Sequence, residues 1–479
     1  MHKTQLTQPL RYGFIAAMFA LLMACSGTSS NLRVEQSSSP LIGGKNLVMV
    51  GVRATVVAAL RQPVTTARSG LAVFWHRPRE IISGNSPLDL MNTYPISEAP
   101  GTPAFEAMLD QKKFPRAEVG KLAYFVDGSQ FFPELDRQIA AAQDSINIQV
   151  FIFDNDDIAV RYADALKQRS SEIRVRVLLD DLGSVLAQHS APKTLGPRGF
   201  IPPDNMAAYL RKNSDTSARR SLNPWLVCDH TKLMVFDQKV ALLGGMNIGR
   251  EYYSEWHDLM LRVEGPIVQS LSGDFKQSWR KAGPWGDLAL LRKPTTSLDH
   301  TPASGEFPMR VLRTDPAVGR YEILDSTILA IRGARKRIWI QNPYFANDEI
   351  ALAVEAAARR GVDVRVIIPN TQTSSLMDAG NLATARALMQ AGAKVYVYPN
   401  MTHLKAIICD DWASIGSANL DTLSLRINRE LNLAFFDRTA IQKLESTVFL
   451  PDFKKSRRLH PRETENLTSV LAETLADQL

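Results

Sequence analysis

One pattern occurs twice along this chain and limits its fold more than any other feature: a histidine, any residue, a lysine, four residues and an aspartate. The first copy is His230-Thr231-Lys232 with Asp237, the second His403-Leu404-Lys405 with Asp410. Each leads into a small-residue turn ending in asparagine, Gly244-Gly245-Met246-Asn247 and Gly416-Ser417-Ala418-Asn419. An acid follows further on, Asp258 in the first copy and Glu430 in the second. With ordinary residue usage, a given histidine meets the lysine and aspartate requirements about once in several hundred times. The chain has eight histidines, so one match is conceivable by accident. Two with the same sequels are not.

The sequence around the motifs repeats as well. Residues Ile146 to Phe153 echo Ile338 to Phe345, and Arg174 to Leu179 echo Asp363 to Ile368. These short β-branched runs alternate with helical stretches at Asp136 to Gln143, Ile158 to Gln168, Glu349 to Arg360 and Ala379 to Ala391. Such alternation predicts α/β units around a sheet. A Pro/Ser/Thr/Gly-rich stretch from Lys293 to Gly305 separates the copies. The expected organisation is a leader over 1–24, a tether and extension over 25–120, and a first domain over 121–291. A linker over 292–308, a second domain over 309–445 and a tail over 446–479 complete it. Residues 41 to about 120 carry no readable motif. Asn46 to Leu60 is apolar enough for a helix, read as core or scaffold with a membrane contact as the alternative. Lys454-Lys455-Ser456-Arg457-Arg458 reads as a solvated basic helix or loop, an anionic-lipid contact being the alternative.

The doubled motif resembles the HKD motif of the phospholipase D superfamily, phosphodiesterases and phosphatidyltransferases that use a pair of such motifs. The likeness runs from about Leu122 to Asp437. Asn342 to Ala346, Arg359 to Pro369, and Trp256-His257-Asp258 followed by Arg262 to Pro266 are most similar to bacterial cardiolipin synthases. The resemblance implies two pseudo-twofold-related α/β/α sandwich domains, each with a mixed sheet flanked by helices. Two departures stand out. The turn after Asp410 is one residue shorter than its counterpart, which should alter a hairpin and not the catalytic geometry. The residues before His230 (Leu226 to Asp229) lack the basic and Asn residues of many relatives.

In each copy the His and Lys lie two apart on a predicted strand, His230 to Phe236 and His403 to Cys409, so both side chains share one face. Joining the halves places two imidazoles and two ammonium groups around one phosphate. Lys232, Lys405, Asn247 and Asn419 are expected to hold its non-bridging oxygens. One imidazole attacks phosphorus and the other protonates the leaving alcohol, then deprotonates the incoming one. That two-step chemistry requires no metal or other cofactor. By the resemblance, His230 is the nucleophile and His403 the acid/base. An attacking imidazole must be neutral with its other N–H held, a role for which Asp258 and Glu430 are the candidates. Asp237 and Asp410 complete the catalytic motif, their expected job being to fix a turn by side-chain hydrogen bonds. His257 is read as structural.

Lys3 and Arg11, the apolar run Phe14 to Met23 and Leu22-Met23-Ala24-Cys25 read as a secretory leader. Its end resembles a bacterial lipobox, implying acylation of Cys25, and Ser26 points to the outer membrane facing the periplasm. An ordinary signal or a retained anchor helix is the alternative. Loss of residues 1–24 removes two positive charges and no acids, taking +7 to +5. Such a mildly basic chain suits anionic lipid surfaces or phosphate-bearing substrates. Cys228 and Cys409 are expected as free buried thiols, and no zinc-type spacing occurs. The leading function is phosphatidyl transfer between membrane phospholipids, cardiolipin synthase-like, with hydrolysis to phosphatidic acid as the alternative. A secreted nuclease and a non-catalytic lipid-binding scaffold are the competing classes. No nucleic-acid partner is expected, because no aromatic-studded basic tract is present.

Overall fold

The computed structural model describes residues 55–82, 94, 96–187, 196–284, 286–287, 305–370 and 376–464. The expected leader, Cys25, the tether and most of the linker lie outside the described residues. The first half contributes β1 (Glu118–Val126), β2 (Ser145–Val150), β3 (Arg174–Asp180), β4 (Ser217–Ser221), β5 (Leu233–Phe236), β6 (Val240–Gly244) and β7 (Leu259–Glu264). The second contributes β8 (Phe307–Asp315), β9 (Arg320–Tyr321), β10 (Arg337–Gln341), β11 (Asp363–Pro369), β12 (Lys394–Tyr398), β13 (Ala406–Cys409), β14 (Trp412–Gly416), β15 (Glu430–Phe435) and β16 (Arg457–Arg458). The sheet order is β16-β12-β11-β10-β13-β14-β15-β8-β1-β7-β6-β5-β2-β3-β4, with β9 beside β8. Read outward from the central β1–β8 pair, the two halves mirror each other for six strands, β16 and β9 having no counterpart in the first half. That pair is antiparallel, Glu118 opposite Met309, so the repeat closes as a pseudo-twofold arrangement. Each half is a mixed sheet: β2–β3 and β10–β11 run parallel, β5–β6 and β13–β14 antiparallel.

Local sequence explains the units. β2 and β10 are buried along most of their length, as strands with both faces covered must be. The helices that follow them start at side-chain caps: Asp156 accepts from the Ala159 amide, and Asn347 from that of Ile350. Separate cores fill the outer face of each half, around Phe131, Phe132 and Tyr162 in the first and Ile328, Ile350 and Trp412 in the second. A third core is common to both, joining Leu261, Leu271 and Phe275 to Leu433, Ile441 and Phe449.

Three features differ from expectation. Residues 446–464, assigned to the tail, belong to the second half: Val448, Phe449 and Leu459 are buried and β16 pairs with β12. Lys454, Lys455, Arg457 and Arg458 are nonetheless exposed. The extension is not featureless, since helix Pro103–Gln111 inserts Phe105 and Leu109 into the second half's core. Its Glu106 pairs with the buried Arg310 at 2.6 Å. Of the predicted helix Asn46 to Leu60, residues 55–60 are described and helical. Among the described residues no helix is long and apolar enough to cross a membrane.

Candidate active site

The catalytic-motif histidines do not sit on the strands predicted for them. β5 begins at Leu233 and β13 at Ala406. His230 and Lys232, like His403 and Lys405, occupy extended chain just before. Their backbone leaves its own ladder to pair with the opposite half. Asp229 bridges Arg429, with the His230 amide donating to the Arg429 carbonyl and the Arg429 amide to that of Cys228. At the equivalent crossing His257 bridges Thr402, the His403 amide donating to the His257 carbonyl and the His257 amide to that of Met401.

These crossings determine which acid meets which histidine. His230 Nδ1 lies 2.8 Å from Glu430 Oε1, and His403 Nδ1 lies 2.7 Å from Asp258 Oδ2. Each imidazole is therefore oriented by the acid of the other half, a pairing that the linear order of the motifs does not reveal. The turns before the acids are tailored to them. A Cβ on Gly245 would fall 2.1 Å from Asp258 Oδ1, so only glycine lets that carboxylate approach. At the matching position the Ser417 hydroxyl donates to Glu430.

All four groups are buried, and burial sets their charge. Desolvation, followed by Lys232 and Lys405, holds His230 well below its ordinary pKa. Desolvation and the same lysines, with His230, do so for His403. Burial raises Glu430 to about 8 and Asp258 to about 7, against the pull of the lysines. Lys405 falls to about 7, chiefly by desolvation. Neutral rings with Nδ1–H given to a carboxylate leave Nε2 with its lone pair, the state a nucleophile needs. An arriving phosphodiester brings the negative charge this cluster of cations lacks. Lys232 Nζ donates to the His230 carbonyl and stands 5.2 Å over the Phe151 ring; Lys405 Nζ donates to the His403 carbonyl. Phe151 packs edge-on against His230, while Tyr252 and Trp256 flank His403.

The two asparagines are placed less symmetrically than expected. Asn247 Oδ1 accepts from the Ile152 amide, and its Nδ2 donates to the Tyr252 hydroxyl, so it braces the site's wall. Asn419 hydrogen-bonds Asp421, and its buried Oδ1 has no partner. Asp237 and Asp410 stand away from the histidines, at the far ends of β5 and β13. Asp237 accepts from the amides of Gln143, Asp144 and Ser145; Asp410 accepts from those of Arg335, Lys336 and Arg337. Each carboxylate ties the hairpin to the loop entering β2 or β10, the geometry of a turn clamp. Three residues separate β5 from β6 and two separate β13 from β14, so the shortened turn changes only this outer hairpin. Cys228 and Cys409 are buried and not joined in a disulfide.

Sequence reasoning read His257 as structural but missed the other residues that fasten the crossings. Arg429 binds Asp229 at 2.7 Å and Asp315 at 3.2 Å. His257 lies between Asp127 and Asp452, 2.7 Å from each, and stacks on Tyr398. Gln149 donates to Asp229 and Gln341 to Thr402. That last pair had a signal, a glutamine at the same place in each apolar strand of the repeat. Among the described residues no group of three or more His, Cys, Asp or Glu is placed to hold a metal ion.

Two mirrored α/β halves that exchange acids to orient a pair of neutral histidines define a double-motif group-transfer enzyme. The family described as "Cardiolipin synthase, PLD-like domain" matches residues 135–279 and 328–448. A cardiolipin synthase of Listeria welshimeri is 31% identical over 359 residues, covering 70% of each chain. The major cardiolipin synthase of Bacillus subtilis is 32% identical over 347 residues, covering 69% of this chain and 68% of its own. The chain belongs to the cardiolipin synthase family of the phospholipase D superfamily. Among solved structures, phosphatidylserine synthase of Haemophilus influenzae shares the fold, with TM-score 0.60 and 14% identity over 77% of this chain and 96% of that one.

Proposed function

We propose that this enzyme transfers a phosphatidyl group between phospholipids, forming cardiolipin from two phosphatidylglycerol molecules. The negative charge of the bound phosphodiester lets His403 take up a proton at Nε2; His230 Nε2 then attacks the donor phosphorus while His403 passes that proton to the leaving glycerol oxygen, giving a phosphohistidine and free glycerol. His403 then takes the proton of the acceptor hydroxyl, whose oxygen attacks phosphorus and releases His230. Lys232 and Lys405 offset charge on the equatorial oxygens in both steps. The observation carrying this reading is the crossed pairing of two neutral, buried imidazoles with carboxylates on Nδ1. One ring is thereby free to attack while its twin handles the proton, and the likeness to cardiolipin synthases supplies the substrate class. Asp237 and Asp410 act as clamps. A lipid anchor on Cys25 would hold the enzyme at the envelope, at the outer membrane's periplasmic face.

Incubation of the purified protein with labelled phosphatidylglycerol and phosphatidylethanolamine tests the reaction by product identification. Cardiolipin with one glycerol released per molecule is expected. Phosphatidic acid alone would assign hydrolysis instead, and turnover of DNA or RNA without any lipid product would assign a nuclease. Acyl labelling in cells, lost in Cys25→Ala, tests the anchor.

A further inference from the structure

The helix Pro63–Ile82 is turned the wrong way round for a helix packed on a globular protein. Such helices face the core with their apolar stripe. This one buries Thr65, Thr66 and Ser69, the last only 2% exposed, together with Ala72 and Val73. Val64, Leu71, Phe74 and Trp75 face outward, with Leu71 at 71% and Trp75 at 65% exposure. At helical geometry Val64, Leu71 and Trp75 fall within about 40° of one line. Helical residues 55–61 add Val56 and Leu60, the latter 81% exposed.

Polar bonds to the protein fix this orientation. The Thr65 hydroxyl and the Val64 and Thr65 amides donate to Asp287, Gln62 donates to the Lys281 carbonyl, and Trp225 Nε1 donates to the Thr66 carbonyl. A Cβ on Gly70 would lie 2.7 Å from Trp225 Nε1, so the helix also approaches too closely there to rotate. Residues 55–82 contain four arginines (Arg61, Arg68, Arg77, Arg79) and a single acid, Glu80.

We propose that this face rests on an anionic phospholipid bilayer, with Leu60, Leu71, Phe74 and Trp75 at the boundary of headgroups and acyl chains. Arginines beside Trp, Phe and Leu on one exposed helix are the composition of an interfacial helix. A twofold contact with a second copy would instead bring like charges together. The same helix packs on Pro224–Leu226, just before His230, and on Leu423–Ile427, just before Glu430. Docking therefore sets the crossing of the halves beside the membrane. The inference rests on the phospholipid reading above.

The test uses the full chain on vesicles of phosphatidylglycerol and phosphatidylcholine whose acyl chains are brominated. The difference in fluorescence quenching between wild type and Trp75→Tyr isolates Trp75, and strong quenching is expected. A Leu60→Ser/Leu71→Ser/Trp75→Ser variant changes only exposed side chains. It should lose about tenfold or more in turnover of vesicle phosphatidylglycerol, with turnover of dispersed short-chain phosphatidylglycerol unchanged. No quenching of Trp75 and equal vesicle turnover overturn the proposal. So does a wild-type dimer that the triple variant converts to monomer, which assigns the face to a second copy. Quenching without turnover of either lipid leaves the docking standing and removes the assigned reaction.

Discussion

At one crossing between the halves a guanidinium holds the seam, at the other an imidazole. Arg429 directly precedes Glu430 and is fixed by Asp229 and Asp315; His257 directly precedes Asp258 and is fixed by Asp127 and Asp452. Both are cations, His257 buried and Arg429 half-buried, one residue before an acid that meets a motif histidine, yet their charges differ in permanence. Arg429 is charged at every accessible pH, its pKa raised by Asp229 and Asp315 against desolvation. Against desolvation, Asp127 and Asp452 raise His257 to about 9, so its charge disappears within reach of experiment. Backbone register fixes where each seam closes, and the cation fixes the conditions under which it stays closed.

The largest effects should come from the histidines, and they ask whether the two sides are equal partners. His230→Asn and His403→Asn should each lower kcat by about 10⁴-fold or more, the double variant being little worse, because such groups act as a unit. Phosphorus label trapped on His403 in place of His230 would reverse the roles. A single variant that keeps a tenth of the activity would end the paired mechanism.

Glu430→Gln and Asp258→Asn should reduce kcat by about 10² to 10⁴-fold, by analogy with loss of the orienting acid in other His-based sites. Their stability should move oppositely. A carboxyl raised to about 7 or 8 by burial binds a proton in the folded state that the unfolded state has lost. Its stability contribution is present below the ordinary carboxyl pKa of about 4 and falls as pH rises towards 8. Each amide variant should therefore gain in thermal stability relative to wild type as pH rises from about 4 to about 8. A constant difference across that range would contradict the assigned protonation.

Arg429→Met leaves Asp229 and Asp315 without their guanidinium and should cost about 3–5 kcal/mol in denaturant unfolding. Activity should fall through kcat with KM nearly unchanged, and Arg429→Lys should recover part of it. A pure KM effect would mean that Arg429 contacts substrate instead of positioning the seam. For His257, stability from the charged ring is fully present below about 6.5 and is lost as pH rises through about 9. The stability advantage of wild type over His257→Gln should shrink across that window, where Arg429 variants show no such trend.

The smallest catalytic effects belong to the clamps. Asp237→Ala and Asp410→Ala each leave three amides without their acceptor, two of them exposed for Asp237 and all three part-buried for Asp410, and should cost about 1–3 kcal/mol of stability. Their kcat should stay within about twofold of wild type. A thousandfold loss would return both aspartates to the chemistry.

Much of this was legible in the sequence because it is local. The repeat, the strand–helix alternation and the pair of motifs all follow from residues close together in the chain. The crossed pairing was not legible, since Glu430 is 200 residues from His230 and no periodicity links segments that meet only across the seam. The same holds for Phe105 and Leu109, whose short helix lies in the extension but serves the second half's core. The strand starts were misplaced for a related reason: alternation continues through His230 and Thr231, while the pairing partner changes from β2 to residue 429. Nothing in the sequence marks Arg429, because its partners Asp229 and Asp315 lie 200 and 114 residues away.

The exchange of acids also makes assembly a precondition of reactivity. A chain whose synthesis stops before residue 430 has His230 but no carboxylate for its Nδ1, and the ring is free to adopt either tautomer. The first half alone should therefore cleave no phosphodiester. During refolding, turnover should return with the docking of the two halves and not with the earlier folding of either one. Two mirrored halves that lend each other an acid work as a lock needing both keys.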